Sequence, residues 1–117
     1  AKAVVNRDGV VYVSEYGGTS RISRFSPEFK FIGSFGDPGS GPASLSRPQS
    51  MAFDKDGTLW VADSCNHRIC RFSGDGKLLS SFGGPGHQPG QLQYPYGLAV
   101  CEDGTLLVIE FGNSRLQ

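Results

Sequence analysis

The sequence has no long hydrophobic run, little histidine and no excess of either charge, and each shortage closes off a class of function. Its longest apolar runs are strand-length, as at 106–109, whereas a membrane-crossing helix needs about 20 apolar residues. Eleven basic residues balance eleven acidic ones over 117 residues. No polybasic segment therefore suggests an anionic membrane, and no overall positive field suggests nucleic acid. A single basic face is compatible with that balance, so RNA stays open as a partner class without support from net charge. The two histidines, His67 and His87, are too few for a metal site built from several imidazoles. Three cysteines, Cys65, Cys70 and Cys101, make a poor disulfide framework because the number is odd. They lean toward a reducing, cytoplasmic compartment, and the chain shows no signal-peptide pattern. Cys65 and Cys70 are spaced C-x4-C with His67 between them. A zinc site needs four ligands and no second cluster is present, so neither a metal nor another cofactor is expected.

What the sequence has in quantity is glycine, 17 residues, with seven prolines, and above all repetition. Arg21-Ile22-Ser23-Arg24-Phe25 returns 47 residues later as Arg68-Ile69-Cys70-Arg71-Phe72. Phe35-Gly36 returns as Phe82-Gly83, Leu45 as Leu92, and Pro48 as Pro95, all at the same spacing. Asp56-Gly57-Thr58-Leu59 returns as Asp103-Gly104-Thr105-Leu106. Asp8-Gly9 precedes Asp56-Gly57 by 48, so the first unit holds one extra residue, placed at Gly17 or Gly18. A period near 47 lies in the range of propeller blades.

The content of one unit fixes the class. A short apolar stretch at 50–53 meets an Asp-Gly turn, and a second strand comes next at 58–62. An Asp-Gly between apolar runs is a hairpin signal, because glycine accepts positive φ there. A polar loop at 63–67 leads to an alternating strand at 68–72. A Ser-Gly-Asp-Gly turn then leads to a fourth strand at 77–82. Residues 83–96, rich in Gly, Pro and Gln, connect to the next unit. Four antiparallel strands per unit make one blade. The expected fold is therefore all-β: an incomplete propeller of two full blades plus the inner half of a third. The chain reads as one segment, with blade 1 at about 3–35, blade 2 at about 50–82 and partial blade 3 at about 97–117. A β-sandwich is the structural rival, and the regular register argues against it.

The segment Leu59-Trp60-Val61-Ala62-Asp63-Ser64-Cys65-Asn66-His67-Arg68-Ile69 resembles the signature of NHL repeats. Val11-Tyr12-Val13-Ser14-Glu15 with Arg21-Ile22 is a looser copy, and the stretch from Leu107 to Leu116 is a third. The resemblance covers essentially the whole chain and implies a propeller that closes with about six blades. On that footing the chain is either a piece of a longer protein or a unit that self-associates through exposed blade edges as a homo-oligomer. It also implies a binding scaffold, with a protein as the first partner class.

In a four-stranded meander, the loop between the second and third strands shares a face with the inter-blade connection. That face carries Tyr16, Arg47, Gln49, His67, His87, Tyr94, Tyr96 and Phe111, the candidate binding residues. Exposed aromatics with Arg and Gln suit a recognition surface, although Tyr94 and Phe111 could instead pack between blades. The pairs Glu15/Arg21, Asp63/Arg68 and Glu110/Arg115 recur in every unit. Recurrence in each blade favours a structural role, as it does for Asn66 and Asn113. Resemblance leaves an enzyme reading as the alternative, a fragment of an amidating-lyase-like or lactonase-like propeller. No catalytic residue is expected in this chain, because no nucleophile elbow or phosphate loop is present and the inner strands hold no acid in their middles.

Overall fold

The computed structural model describes residues 2–15, 21–36, 44–85, 89–112 and 115–116, the last two as backbone. These residues form three antiparallel sheets. The first is β1 (Lys2–Val5), β2 (Val11–Glu15), β3 (Arg21–Phe25) and β4 (Phe31–Phe35), paired in chain order. The second is β5 (Pro48–Phe53), β6 (Leu59–Asp63), β7 (Arg68–Phe72) and β8 (Leu78–Gly83), also in chain order. The third is β9 (Pro95–Val100), β10 (Leu106–Glu110) and a two-residue β11 (Arg115–Leu116). A 3-10 turn, Ser64–Asn66, joins β6 to β7. No helix among the described residues is long and apolar enough to cross a membrane.

The hairpin turns explain the spacing of the strands. At 6–9, 54–57, 73–76 and 101–104 the fourth residue is a glycine at φ of 82–94° whose N–H donates to the carbonyl of the first. The first residue often adds a side-chain acceptor. Asn6 Oδ1 takes the N–H groups of Asp8 and Val10 at 2.9 Å each. Asp54 Oδ1 takes those of Asp56 and Thr58 at 2.9 and 3.1 Å. The turn thus closes on itself and fixes the register of both flanking strands.

One turn breaks the rule. At 26–29 the glycine position is filled by Phe29, held at φ 66° with its ring 76% exposed. A bulky side chain there is strained by about 1–2 kcal/mol and has little packing to offset it. Phe29→Gly should therefore raise stability by about 0.5–1 kcal/mol, after the entropy glycine gains in the unfolded chain is counted. Urea unfolding of the two chains checks this; an equal or lower midpoint for the variant would show that the turn is not strained.

The sheets pack face to face, with the innermost strands β1, β5 and β9 adjacent. In the second sheet β6 is largely buried and β7 mostly so, while the outer strand β8 is largely exposed. Alternation sends Leu59 and Val61 of β6, with Cys70 and Phe72 of β7, toward the first sheet, where they join Tyr12 and Ile22. Ala62 and Ile69 face the other way, toward Leu92 and Val108 of the third unit. Each fully buried large apolar side chain contributes about 1.5–3 kcal/mol. Aromatic rings lock the first interface: Tyr12 meets Phe53 edge-on at 5.1 Å, and Phe35 lies 4.9 Å from Phe72. The Tyr12 hydroxyl donates to the Gly74 carbonyl of the neighbouring sheet at 2.7 Å.

The connections between sheets return at fixed points. Leu45 and Leu92, 47 apart, are both fully buried. Leu92 packs over Gly83, whose φ of 106° leaves the backbone open to it. The Leu92 N–H donates to the Gly84 carbonyl at 2.7 Å. Gly36 and Leu45 repeat the same contact.

Candidate functional site

The repeated acids Asp63 and Glu110 are buried and bonded within the fold. Asp63 closes β6, and its side chain is fully buried. One oxygen accepts the Ser46 N–H at 2.7 Å, and the other accepts from Asn66 Nδ2 at 2.9 Å and Arg68 Nε at 2.8 Å. Arg68 in turn reaches the Ser44 carbonyl, and the Cys65 N–H donates to the Ser46 carbonyl at 3.0 Å. The carboxylate therefore fastens the incoming connection to its own sheet. Glu110 does the same one unit later: it is 1% exposed and accepts the Gln93 N–H at 3.0 Å. There Gly112 donates to the Gln93 carbonyl, in place of the Cys65–Ser46 bond. Glu15 differs. It is more open and accepts from Arg21 Nε at 3.0 Å and the Ser23 hydroxyl at 2.5 Å. Those bonds, Ser23 first and then Arg21, hold its carboxyl below the usual range. The Arg115 side chain, Asn113, Tyr16 and His87 lie outside the described residues.

On the same face the unrepeated loop residues converge. Arg47, Gln49, Ser64, Cys65, Tyr94, Tyr96 and Phe111 line a cleft of about 330 Å³ between the second and third sheets. Five of these are sequence candidates: Arg47, Gln49, Tyr94, Tyr96 and Phe111. Arg47 and Tyr94 hold equivalent places one repeat apart, both in the left-handed region at φ 54° and 50°. Gln49 and Tyr96 come two residues later, at the mouths of β5 and β9. The aromatics do not pack away between sheets: Tyr94, Tyr96 and Phe111 are 43%, 44% and 75% exposed. Tyr96 and Phe111 meet edge-on at 6.3 Å.

His67 stands beside the cleft and holds it. At φ 55° it ends the 3-10 turn. Its Nδ1 accepts the Tyr94 N–H at 3.0 Å, and the two rings lie 4.4 Å apart at a steep angle. The Tyr94 carbonyl accepts the Phe111 N–H at 3.0 Å, so the Tyr94 segment is tied both to the end of the 3-10 turn and to the turn after β10.

Two features are hidden in the sequence. Cys65 and Ser64 are recognisable there as loop residues, but only the fold brings them into the cleft wall. On the opposite face, Asp54 organises β5–β7. Burial alone would raise its carboxyl, but hydrogen bonds from the Thr58 hydroxyl, Trp60 Nε1 and the Thr58 and Asp56 amides outweigh it and leave the group below its usual range. Arg71 lies 5.3 Å over the Trp60 ring and 3.5 Å from Asp54. The sequence signal for this cluster is Asp54 four residues before Thr58, a pattern shared with ordinary turns.

The thiols occupy different surroundings. Cys70 is fully buried, and burial pushes its thiol up to about 11. Cys65 and Cys101 are partly exposed. In the folded chain at pH 8 the two partly exposed thiols should alkylate quickly, and the buried Cys70, held as the unreactive thiol, only on unfolding. Mass-mapped labelling checks it, and prompt labelling of Cys70 would mean the core between the first two sheets opens readily. Among the described residues no three His, Cys, Asp or Glu side chains gather as a metal site.

Set against known proteins, the NHL repeat family profile matches residues 45–72, which run from the buried Leu45 through Asp63 and Arg68 to the end of β7. Residues 45–72 are an NHL repeat. Human NHL repeat-containing protein 3 is 33% identical over 70 residues, 58% of this chain and 20% of that protein. The mouse protein of the same name matches to the same extent. The chain thus spans about a fifth of the length of the curated relatives it matches. Among solved structures, a virginiamycin B lyase from Staphylococcus aureus with quinupristin superposes at TM-score 0.70 and 18% identity, over 97% of this chain and 35% of that one. A streptogramin B lyase superposes at TM-score 0.72 and 18% identity, over 98% of this chain and 38% of that one. At such identity the likeness shows the fold alone. The NHL repeat and the neighbours' architecture make this chain an all-β, propeller-type scaffold, its two four-stranded sheets forming blades.

Proposed function

We propose that this scaffold binds a protein partner through the cleft between its second and third sheets. One observation carries the reading: the repeated acids Asp63 and Glu110 are buried in fastening the connections, while the exposed wall of the cleft is left to Arg47, Gln49, Tyr94, Tyr96 and Phe111. Tyrosine and arginine are among the residues most often found to carry binding energy at protein interfaces. The cleft volume suits one or two partner side chains, at the small end of known sites.

A phage-displayed random peptide library selected against the chain supplies the probe. Peptides recovered should lose at least about tenfold in affinity for Tyr96→Ala and Tyr94→Ala, with melting temperatures within a few degrees of the parent. Undiminished affinity would place binding elsewhere, and collapse of the fold would make these residues structural. Labelled oligouridine tests the other partner class: tight binding that falls steeply with salt would replace the protein reading with RNA.

A further inference from the structure

The Tyr94 amide hydrogen has a fixed direction, so the 3.0 Å bond to His67 Nδ1 requires a lone pair on that nitrogen, with the ring's single proton on Nε2. We infer that His67 is a proton-operated latch on the cleft: adding the second proton to its ring breaks the bond to Tyr94 and loosens that residue in the cleft's aromatic wall, while Gln93 stays fastened to Glu110. This rests on the cleft being the binding site.

The surroundings favour such a response. A protonated Nδ1 would set one donor against another, with no rotation of the amide available to relieve it. The Tyr94 ring lies 4.4 Å from the imidazole, so the side chain as well as the backbone senses the change. Both residues sit in the left-handed region, at φ 55° and 50°. The hydrogen bond thus joins two strained positions rather than two relaxed ones. The charged neighbours are occupied otherwise. Asp63 and Arg68, on the strands flanking the turn, are paired with each other at 2.8 Å. Glu110, on β10 below the segment, accepts the Gln93 N–H. Cys65 and Arg47 stand on the cleft wall with Tyr94 itself, and His87 lies outside the described residues. The neighbouring Gln93 amide is held by a carboxylate and provides an internal reference insensitive to His67.

The test needs no ligand. In the 15N-labelled chain, amide exchange of Tyr94 and Gln93 is followed from pH 8 to pH 5, corrected for the intrinsic rate at each pH, beside the His67 ring proton shift. Tyr94 protection should fall about five- to tenfold, the worth of one hydrogen bond, with the midpoint of the His67 titration, while Gln93 protection holds. In His67→Asn, whose side chain tolerates the left-handed backbone, Tyr94 protection should be flat over the same range. Tyr94 protection that ignores the His67 titration would overturn the latch and leave the cleft reading standing. Peptide affinity untouched by Tyr96→Ala would sink the cleft reading while the amide result stood.

Discussion

Asp63→Ala should lower the stability of the chain by about 3–5 kcal/mol, the usual cost of stripping one partner from a buried ion pair. The Asp63 carboxylate is fully buried and Arg68 is 16% exposed, so solvent cannot replace what is lost. At least three hydrogen bonds to the carboxylate go with it, from the Ser46 backbone amide, the Asn66 side-chain amide and the Arg68 guanidinium. Urea unfolding followed by Trp60 fluorescence measures the change; at this chain length it corresponds to a fall in Tm of more than about 10 °C. Glu15→Ala is the control. Both members of the Glu15–Arg21 pair are 39% exposed, and such pairs contribute about 1 kcal/mol or less. Equal losses in the two variants would mean that burial of the repeated acid does not matter, and that the connection is held by its apolar contacts instead.

The second large effect concerns those contacts. Leu92→Ala should cost about 2–5 kcal/mol, because the side chain is 1% exposed and leaves a cavity behind it. Gly83→Ala should cost about 1–3 kcal/mol for a different reason. Its added Cβ would stand 2.6 Å from Leu92 Cδ1 and 3.2 Å from the His67 carbonyl, on a backbone at φ 106°. The two changes share one space, so they should not add. In the double variant the missing leucine makes room for the new methyl, and its loss should fall short of the sum by about 1 kcal/mol. Unfolding curves for the four chains close the cycle. Additive losses would show that backbone strain alone, and not the leucine, excludes a side chain at Gly83.

These two predictions mark what can be read in the sequence and what cannot. The 47-residue register yields the strands, because each turn repeats its own chemistry: commonly an Asp, Asn or Ser acceptor with a glycine three residues on. Leu45 and Leu92 are visible there only as recurring letters. That they plug the gap beneath Gly36 and Gly83 depends on where the connection returns, which no local pattern encodes. The pairing of Asp63 with Arg68 is legible from recurrence, but the Ser46 amide is not, since backbone groups leave no mark in composition. The cleft is half legible. The order of strands and loops in the repeat places Arg47, Gln49, Tyr94, Tyr96 and Phe111 on one face. Their convergence needs the left-handed turns at Arg47 and Tyr94, residue types that seldom adopt that conformation. Trp60 reads as part of a strand, and its indole bond to Asp54 emerges only with the third dimension.

The bond from the Leu92 amide to the Gly84 carbonyl has a practical consequence for engineering. It clasps the two ends of the connection together, and the buried Leu92 side chain and the Glu110 carboxylate anchor the chain beyond the clasp. Residues between the clasped ends can then be lengthened with little strain on the strands, since doubling a flexible loop costs only about 0.6 kcal/mol. A foreign epitope grafted between Pro85 and Leu92 would stand on a stem whose geometry is already set.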